Sequence, residues 1–218
     1  MVRSNHDLTV ASRRLAALTA FVLVLAAAVS ASSAQAARGM LVGLYDPVQP
    51  VVAPDTTFPT LVNLRVQIIR LDLNWNSIAK RRPAVATDPS DPAYDWDGYD
   101  GTVLNATKNK IQVLFTIYGT PAWAQGKKKG VNRAPAKMAD LRNFATAAAR
   151  RYSGTFMRDD GTALPAVRKW LAWNEPNNPL FLSPQWVKSG KRFIPVAART
   201  YVGMCTAIWT GEIGRAHV

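Results

Sequence analysis

The residues best suited to chemistry are Trp173–Asn177, which read Trp-Asn-Glu-Pro-Asn and follow the apolar run 167–172. They place one carboxylate, Glu175, at the end of a predicted buried strand, with an amide directly before it. A general acid that splits a glycosidic bond needs a fixed Glu, partly desolvated by aromatic rings so that it stays protonated near neutral pH. The amide of Asn174 could bind a sugar hydroxyl more strongly in the transition state than in the ground state.

Alternating apolar segments predict a parallel α/β fold that would position these residues. Four nearly continuous apolar runs are typical of strands that are buried on both faces of a parallel sheet. They lie at Met40–Tyr45, Leu64–Asp72, Ile111–Tyr118 and Trp170–Trp173. Apolar residues at three- and four-residue spacing predict helices at Tyr99–Asn109, Met138–Tyr152 and Pro195–Trp209. Strand and helix therefore alternate, and right-handed crossovers are expected between successive strands.

Polar and aromatic side chains gather at the carboxyl ends of three predicted strands. They are Arg70, Asp72 and Trp75 at the second strand, Tyr118 and Trp123 at the third, and Asn174 and Glu175 at the fourth. The carboxyl ends of parallel strands form the face on which α/β barrels build their active sites. The alternative for Trp173–Asn177 is a strand end closed by a turn, because Asn and Pro are common turn formers. Three such strand ends in succession favour an active site.

These motifs together resemble clan A of the glycoside hydrolases, which includes families five and thirty-nine. The strongest match is Trp173–Asn177, where the clan keeps its acid/base Glu after an Asn that contacts the sugar. Weaker matches are Arg70–Trp75, Tyr94–Asp100 and Tyr118–Trp123. The resemblance spans roughly residues 40–210 and implies the N-terminal half of a (β/α)8 TIM barrel, about four βα units, preceded by a signal peptide.

The resemblance implies catalytic roles for three of the matched residues. Glu175 would be the acid/base catalyst, and Asn174 would bind the hydroxyl next to the reacting carbon. Arg70 would lie near the nucleophile and help to keep it ionised. The alternative for Arg70 is an ion pair with Asp72 or with another carboxylate of the barrel.

Aromatic residues at the same positions would bind or enclose the sugar. Trp75, Tyr118 and Trp123 would offer their rings to sugar faces or wall the cleft. The alternative for the two tryptophans is that they are core aromatics at the top of the barrel. The residues of Tyr94–Asp100 are expected to be structural, because they would start a helix and pack it on the barrel.

The resemblance also implies a second carboxyl group that the sequence does not identify. Clan members carry a nucleophilic Glu after the seventh strand, which would lie beyond Val218. Retaining hydrolysis needs two carboxyl groups about 5 Å apart, and nothing marks Asp72 as the nucleophile although it is at the correct face. We therefore expect a retaining parent enzyme, truncated here before its nucleophile. Because half a barrel has open sheet edges, these 218 residues alone are expected to be inactive and poorly stable.

The two ends of the chain indicate export and an artefactual tail. Residues 1–36 resemble a signal peptide, with basic residues before the apolar run Leu15–Val29 and a predicted cleavage after Ala36. That run is shorter than the roughly 20 residues that span a bilayer, so we expect secretion without a stable membrane anchor. Residues 212–218 end in a stretch that resembles a translated sequencing adapter. The predicted domain is therefore 37–211.

Charge and cysteine content argue against several other classes of function. The formal net charge is +13, but the basic residues look scattered along the sequence, so no nucleic-acid partner is expected. The run Lys127–Lys129 is interpreted as a solvated loop. Cys205 is the only cysteine and cannot form an internal disulfide. The sequence contains neither a metal-ligand cluster nor a glycine-rich phosphate loop, so no metal and no other cofactor is expected.

The leading hypothesis is a secreted retaining glycoside hydrolase that acts on a polysaccharide or oligosaccharide without a cofactor. A second hypothesis is a non-catalytic glycan-binding protein of the cell envelope that keeps the cleft and its aromatic residues. A third is a basic envelope protein held on an acidic cell-wall polymer by its charge, which moderate salt would release. The sequence leaves the sugar, the linkage and endo or exo action open.

Overall fold

A four-stranded parallel sheet forms the centre of the computed structural model, which describes residues 39–211. The strand order follows the chain, and each strand pairs with the next one. The strands are β1 (Gly43–Tyr45), β2 (Ile68–Asn74), β3 (Gln112–Tyr118) and β4 (Lys169–Ala172). The expected parallel α/β fold is thus confirmed, and the sheet is consistent with part of a TIM barrel.

The predictions for the chain ends lie outside the described residues. The signal peptide at residues 1–36, its cleavage after Ala36 and the tail at residues 212–218 therefore stay predictions. Within residues 39–211, no helix has the length and apolar character that a membrane crossing requires.

Six helices lie between and beside these strands in the described part of the chain. They are α1 (Gln49–Val52), α2 (Pro54–Asn63), α3 (Trp75–Ile78), α4 (Asp97–Lys108), α5 (Met138–Arg151) and α6 (Ala197–Thr210). Helices α4 and α5 match the two helices predicted in the middle of the chain. Helices α1 to α3 were not predicted, because they are short or lack a clear apolar period. Pro50 and Pro54 help to start α1 and α2, since the proline ring fixes a helical φ.

The register of β2 and β3 sorts their side chains onto two faces. Leu71 pairs with Phe115, and Asp72 pairs with Thr116. Because successive side chains of a strand point to opposite faces, odd-numbered residues share one face and even-numbered residues share the other. The odd-numbered side chains are buried in one core with residues of α4 and α5. The even-numbered residues form what we call the inner face.

Aromatic rings fill the core between the sheet and the helices. Phe144 of α5 stacks on Trp75 and on Trp96, with ring centroids 5.5 and 5.7 Å apart. The ring of Trp96 in turn meets the edge of Tyr152 at 6.0 Å. Large aromatic side chains bury much apolar surface, and offset or edge contacts of this kind add to that burial.

A buried ion pair joins α4 to α5 beside these rings. Asp100 of α4 is fully buried and accepts two hydrogen bonds from Arg151, at 2.9 and 2.5 Å. The hydroxyl of Tyr152 donates to the same carboxylate at 3.1 Å. The contacts of Asp100 agree with the structural role that the sequence predicts for it.

Several predicted element boundaries were wrong, and the first strand begins at Gly43 instead of Met40. The second strand begins at Ile68 instead of Leu64, because Arg65 adopts a left-handed backbone (φ 55°) that is incompatible with an extended strand. The last helix begins at Ala197 instead of Pro195. Pro195 is the last residue of an antiparallel hairpin that the apolar pattern did not reveal. The hairpin consists of β5 (Trp186–Ser189) and β6 (Arg192–Pro195).

We predict that Asp100→Ala lowers the free energy of unfolding by about 3–5 kcal/mol, because the buried charge of Arg151 loses its partner. Urea denaturation followed by tryptophan fluorescence measures the loss. Asp97→Ala is the matched control, since Asp97 is exposed in the first turn of the same helix. The Asp97→Ala substitution should lower the free energy of unfolding by no more than about 1 kcal/mol. Equal losses in the two variants would contradict the role assigned to the ion pair.

Candidate active site

Arg70 connects several strands on the inner face. Its Nε donates to Thr116 Oγ1 at 2.9 Å, and its Nη2 donates to Asn174 Oδ1 at 2.6 Å. The guanidinium also lies 4.7 Å from the centre of the Tyr45 ring, where a cation is attracted to the aromatic face. No ion pair between Arg70 and Asp72 is found in residues 39–211. Arg70 thus links β1, β3 and the segment after β4, and it acts on Asp72 through its charge without a direct ion pair.

Asn174 is held in one orientation by this bond. Because its oxygen accepts from Arg70, its NH₂ group is the end left for another partner, and none is found among the described residues. Its neighbours Trp173 and Glu175 have left-handed backbones, with φ of 65° and 31°. L-residues rarely adopt such angles, and strained positions of this kind cluster at functional sites. The indole N–H of Trp173 donates to the Phe181 carbonyl oxygen at 2.6 Å, which secures this turn.

Glu175 is exposed, which corrects the expectation that aromatic rings partly desolvate it. The rings of Tyr118 and Trp173 pack on each other instead, with centroids 4.9 Å apart. The carboxylate Oε2 accepts a hydrogen bond of 3.2 Å from Asn178 Nδ2. The negative charge of Glu175 also contributes to a raised pKa of Tyr45, so the carboxylate lies within electrostatic reach of the inner face.

Asp72 is a second carboxylate at this site, and it is buried. Its Oδ2 accepts a hydrogen bond of 2.8 Å from the Tyr45 hydroxyl, whereas Oδ1 is buried without a partner among the described residues. Burial raises the pKa of Asp72 above the ordinary 3.8, although the Tyr45 hydrogen bond and the charge of Arg70 act in the opposite direction. Tyr99 of α4 donates to the backbone oxygen of Asp72 at 2.9 Å and so fixes this end of β2.

Tyr45 and Thr116 are members of the cluster that the sequence did not single out. Burial, together with the hydrogen bond and charge of Asp72, raises the pKa of Tyr45 to about 12, so its hydroxyl remains a donor at neutral pH. Tyr45 ends β1, and its place at a strand end is the same signal that identified Arg70. Thr116 gave no signal, because threonine is an ordinary residue of a β-strand.

The structure corrects the predicted role of Trp75. Its side chain has no exposed surface, and its ring contacts those of Phe144 and Trp123 at 5.5 and 5.7 Å. It therefore cannot offer a face to a sugar, and it occupies the core as the alternative interpretation had it. Its indole nitrogen is buried without a partner in the described part of the chain.

Trp123 and Tyr118 are both partly buried, and their predicted contacts with sugar stay predictions. Trp123 donates its indole N–H to the Ala79 oxygen at 2.7 Å, and the guanidinium of Arg82 lies 4.4 Å from its ring centre. Arg82 thus covers one ring face of Trp123. Tyr118 ends β3 on the inner face, and burial together with the charge of Asp72 raises its pKa.

The cluster offers groups that bind hydroxyls and exchange protons. It contains a guanidinium, a primary amide, a tyrosine hydroxyl and the carboxylates of Asp72 and Glu175. No three His, Cys, Asp or Glu side chains within residues 39–211 are placed to hold a metal ion. Such a set can bind a polyhydroxylated molecule and can deliver a proton from a carboxyl group.

Comparisons with known proteins support the fold at a coarse level. No protein-family model matches the chain, and no curated protein is significantly similar to it in sequence. A glucosidase from Croceicoccus marinus superimposes with a TM-score of 0.53 at 17% identity, over 81% of this chain and 35% of that chain. At this identity the likeness concerns the fold alone. This chain therefore spans about a third of the length of a glycosidase whose fold it shares in part.

A weaker likeness exists to the β-glucosidase from Trichoderma harzianum. Its TM-score is 0.47 at 17% identity, and the match covers 73% of this chain and 33% of that chain. A TM-score of this size does not establish a shared fold.

We predict that Asp72→Asn stabilises the protein at neutral pH. The folded state raises the pKa of Asp72 and so binds its proton more tightly than the unfolded state does. The contribution of Asp72 to stability therefore falls as pH rises from the ordinary pKa through the raised one, and ionised Asp72 opposes folding at pH 7. Asn cannot ionise, so the unfolding free energy of the variant should exceed that of the unmodified protein by a margin that grows with pH.

Thermal unfolding between pH 4 and pH 8 checks this prediction. Asp159→Asn removes the same charge at an exposed position and serves as the control, so the difference between the two variants reports the effect of burying the carboxylate. A variant at position 72 that is less stable than the unmodified protein at pH 7 would mean that Arg70 stabilises the ionised carboxylate more than burial opposes it.

Proposed function

We propose that the complete protein is a retaining glycoside hydrolase that cleaves O-glycosidic bonds of a polysaccharide or oligosaccharide, with Glu175 as acid/base catalyst. The observation that carries the proposal is the bond between Arg70 and Asn174, which fixes the amide directly before Glu175 at the carboxyl ends of parallel strands. The glucosidase-like fold supports the same reaction class. A primary amide suited to a sugar hydroxyl thus lies directly before Glu175, the carboxyl group that would supply the proton for glycoside cleavage.

The proposed roles follow from the hydrogen-bonding capacity of each group. Asn174 offers its NH₂ group to a hydroxyl oxygen, because Arg70 already occupies its carbonyl oxygen. Glu175 donates its proton to the departing glycosidic oxygen and then removes a proton from the attacking water. Asn178 holds Oε2 of Glu175 at 3.2 Å, which leaves the other carboxyl oxygen for the substrate.

We assign the nucleophile to a carboxylate beyond Val218, as the resemblance to clan A implies, and not to Asp72. A nucleophile must be ionised at working pH, whereas burial raises the pKa of Asp72 and opposes its ionisation. The carboxylate of Asp72 is also engaged by Tyr45 through Oδ2. Asp72 is better suited to orient Tyr45, whose hydroxyl donates to it. We also propose export of the protein, with cleavage after Ala36.

The exposure of Glu175 favours a second candidate, a non-catalytic glycan-binding protein. A general acid for glycoside cleavage works best in a desolvated pocket, and the exposed side chain of Glu175 lacks that environment. Substrate binding and later strands of a barrel would have to desolvate it for catalysis. The two candidates differ in whether the complete protein breaks the glycosidic bond or only binds the glycan.

In the first test, the gene is sequenced beyond the codon for Gly211 and the resulting open reading frame is expressed. Hydrolysis of aryl glycosides with poor and good leaving groups is then compared for the unmodified protein and Glu175→Ala. Loss of the acid should lower kcat/KM for glycosides with poor leaving groups by roughly 10²–10⁴-fold. It should lower kcat/KM for dinitrophenyl glycosides much less, because dinitrophenolate departs without a proton. Azide should restore turnover of Glu175→Ala and give a glycosyl azide.

Asp159→Asn serves as the control, because it changes the charge at an exposed position outside the cluster. An equal rate loss for both leaving groups, without azide rescue, would remove Glu175 from the acid/base role. Glycan binding without any hydrolysis by the complete protein would favour the second candidate.

A further inference from the structure

The positive charge of the chain is concentrated in two segments. Residues 119–137 and 173–196, which follow β3 and β4, contain eight Lys and Arg residues and a single carboxylate, Glu175. The rest of the described chain is nearly balanced, with fourteen basic and eleven acidic residues. Basic residues that look scattered in the sequence are thus collected at the carboxyl ends of β3 and β4. We call residues 119–137 and 173–196 the basic rim.

The two segments of the basic rim are joined to each other. Asn132 donates its amide to the Pro179 oxygen at 2.9 Å, and its own backbone oxygen accepts from the Ser183 N–H at 2.8 Å. Arg133 reaches the Ser183 oxygen at 3.5 Å. The two segments are therefore neighbours in the fold, and Glu175 belongs to the second of them.

The cations of the basic rim are not used to neutralise the protein's own carboxylates. After β2, Lys80 and Arg82 each form an ion pair with an aspartate, at 3.9 and 2.9 Å. In contrast, no ion pair in the described part of the chain involves Lys127–Lys129, Lys188 or Lys191, all of which are exposed. These ammonium groups are available to a negatively charged ligand.

The hairpin within the basic rim adds aromatic rings to the charge. Trp186 pairs with Pro195, and Lys188 pairs with Phe193, so one face of the hairpin presents two aromatic rings and an ammonium group. Trp186 is 57% exposed and Phe193 is 69% exposed. Trp186 also lines a groove of about 350 Å³ together with Pro176, directly after Glu175. Large exposed rings beside a groove are typical of ligand-binding surfaces.

We propose that the glycan recognised at this site is an acidic polysaccharide, whose uronate carboxylates bind the lysines of the basic rim. The sugar rings would stack on Trp186 while the carboxylates meet Lys188 and Lys191. This inference rests on the proposed function, because it names the class of glycan on which Glu175 acts. A glycan fits better than a nucleic acid, because the adjoining cluster of Arg70 and Asn174 presents hydroxyl-binding groups.

The test compares each acidic polymer with its own neutral counterpart. Affinity electrophoresis of the complete protein is run with polygalacturonate, alginate and glucuronoxylan, and with the same polymers after reduction of their carboxyl groups. At least one acidic polymer should bind roughly tenfold more tightly than its reduced form at low salt. The preference should weaken as the salt concentration rises to 0.5 M, because salt screens the attraction between opposite charges. The Debye length is roughly 8 Å at about 0.15 M salt, and it is shorter at 0.5 M.

Two variants with equal charge change locate the binding surface. Lys188→Glu with Lys191→Glu should abolish the preference for the acidic polymer. Lys108→Glu with Arg168→Glu, at exposed positions before β3 and β4, should keep it. All four side chains are exposed, and thermal unfolding verifies that both variants fold. Equal losses in the two variants would overturn the proposal.

The remaining outcomes separate this inference from the proposed function. Equal affinity for the acidic and reduced polymers overturns the acidic-glycan proposal even if the protein hydrolyses glycosides. Tighter binding of single-stranded DNA or of phosphatidylglycerol vesicles than of every acidic polymer overturns it as well. A clear preference for one acidic polymer without its hydrolysis supports the acidic-glycan proposal and contradicts only the catalytic role of Glu175.

Discussion

The bonds of Arg70 are the interactions on which the candidate site depends. One guanidinium donates to Thr116 on β3 and to Asn174 after β4, and it lies over the ring of Tyr45 at the end of β1. A planar group with donors in fixed directions holds its partners at defined angles, which a flexible lysine would not do. Because Asn174 lies between two residues with left-handed backbones, its bond to Arg70 also helps to hold an otherwise unfavourable turn in place. The orientation of Asn174, and with it the position of Glu175, follows from this arrangement.

The two faces of the sheet have different side chains. The face that packs on α4 and α5 is filled by aliphatic and aromatic side chains and by the satisfied ion pair of Asp100 and Arg151. The inner face contains a buried carboxylate oxygen of Asp72 that has no partner in residues 39–211. An unpaired buried polar atom opposes folding, and proteins tolerate such costs mainly where activity needs them. Among the described residues the core holds one such atom as well, the indole nitrogen of Trp75, so the two faces differ in the charged and hydroxyl groups that the inner one gathers.

The segments after β3 and β4 differ from the strands before them in their excess of positive charge. Their backbones are joined by hydrogen bonds around Asn132 and Ser183, but most of their charged side chains point to solvent without an ion pair among the described residues. Under the proposed function, the strand ends would hold the reacting groups and the charged segments would select the glycan. This division is common in parallel α/β folds, where loops at the carboxyl ends of strands vary between proteins of one architecture.

The sequence by itself determined the parallel α/β fold, helices α4 and α5, and the cluster of candidate residues at strand ends. These features depend on local apolar periodicity, which is visible without any knowledge of contacts. Only the tertiary structure decided between the two interpretations of Trp75, because burial depends on Phe144 and Trp123, which are distant in sequence. In the same way, the roles of Tyr45 and Thr116 and the gathering of lysines beside Glu175 follow from strand register and loop contacts. Ion pairs and hydrogen bonds depend on distances in space. These distances cannot be read from the order of residues along the chain.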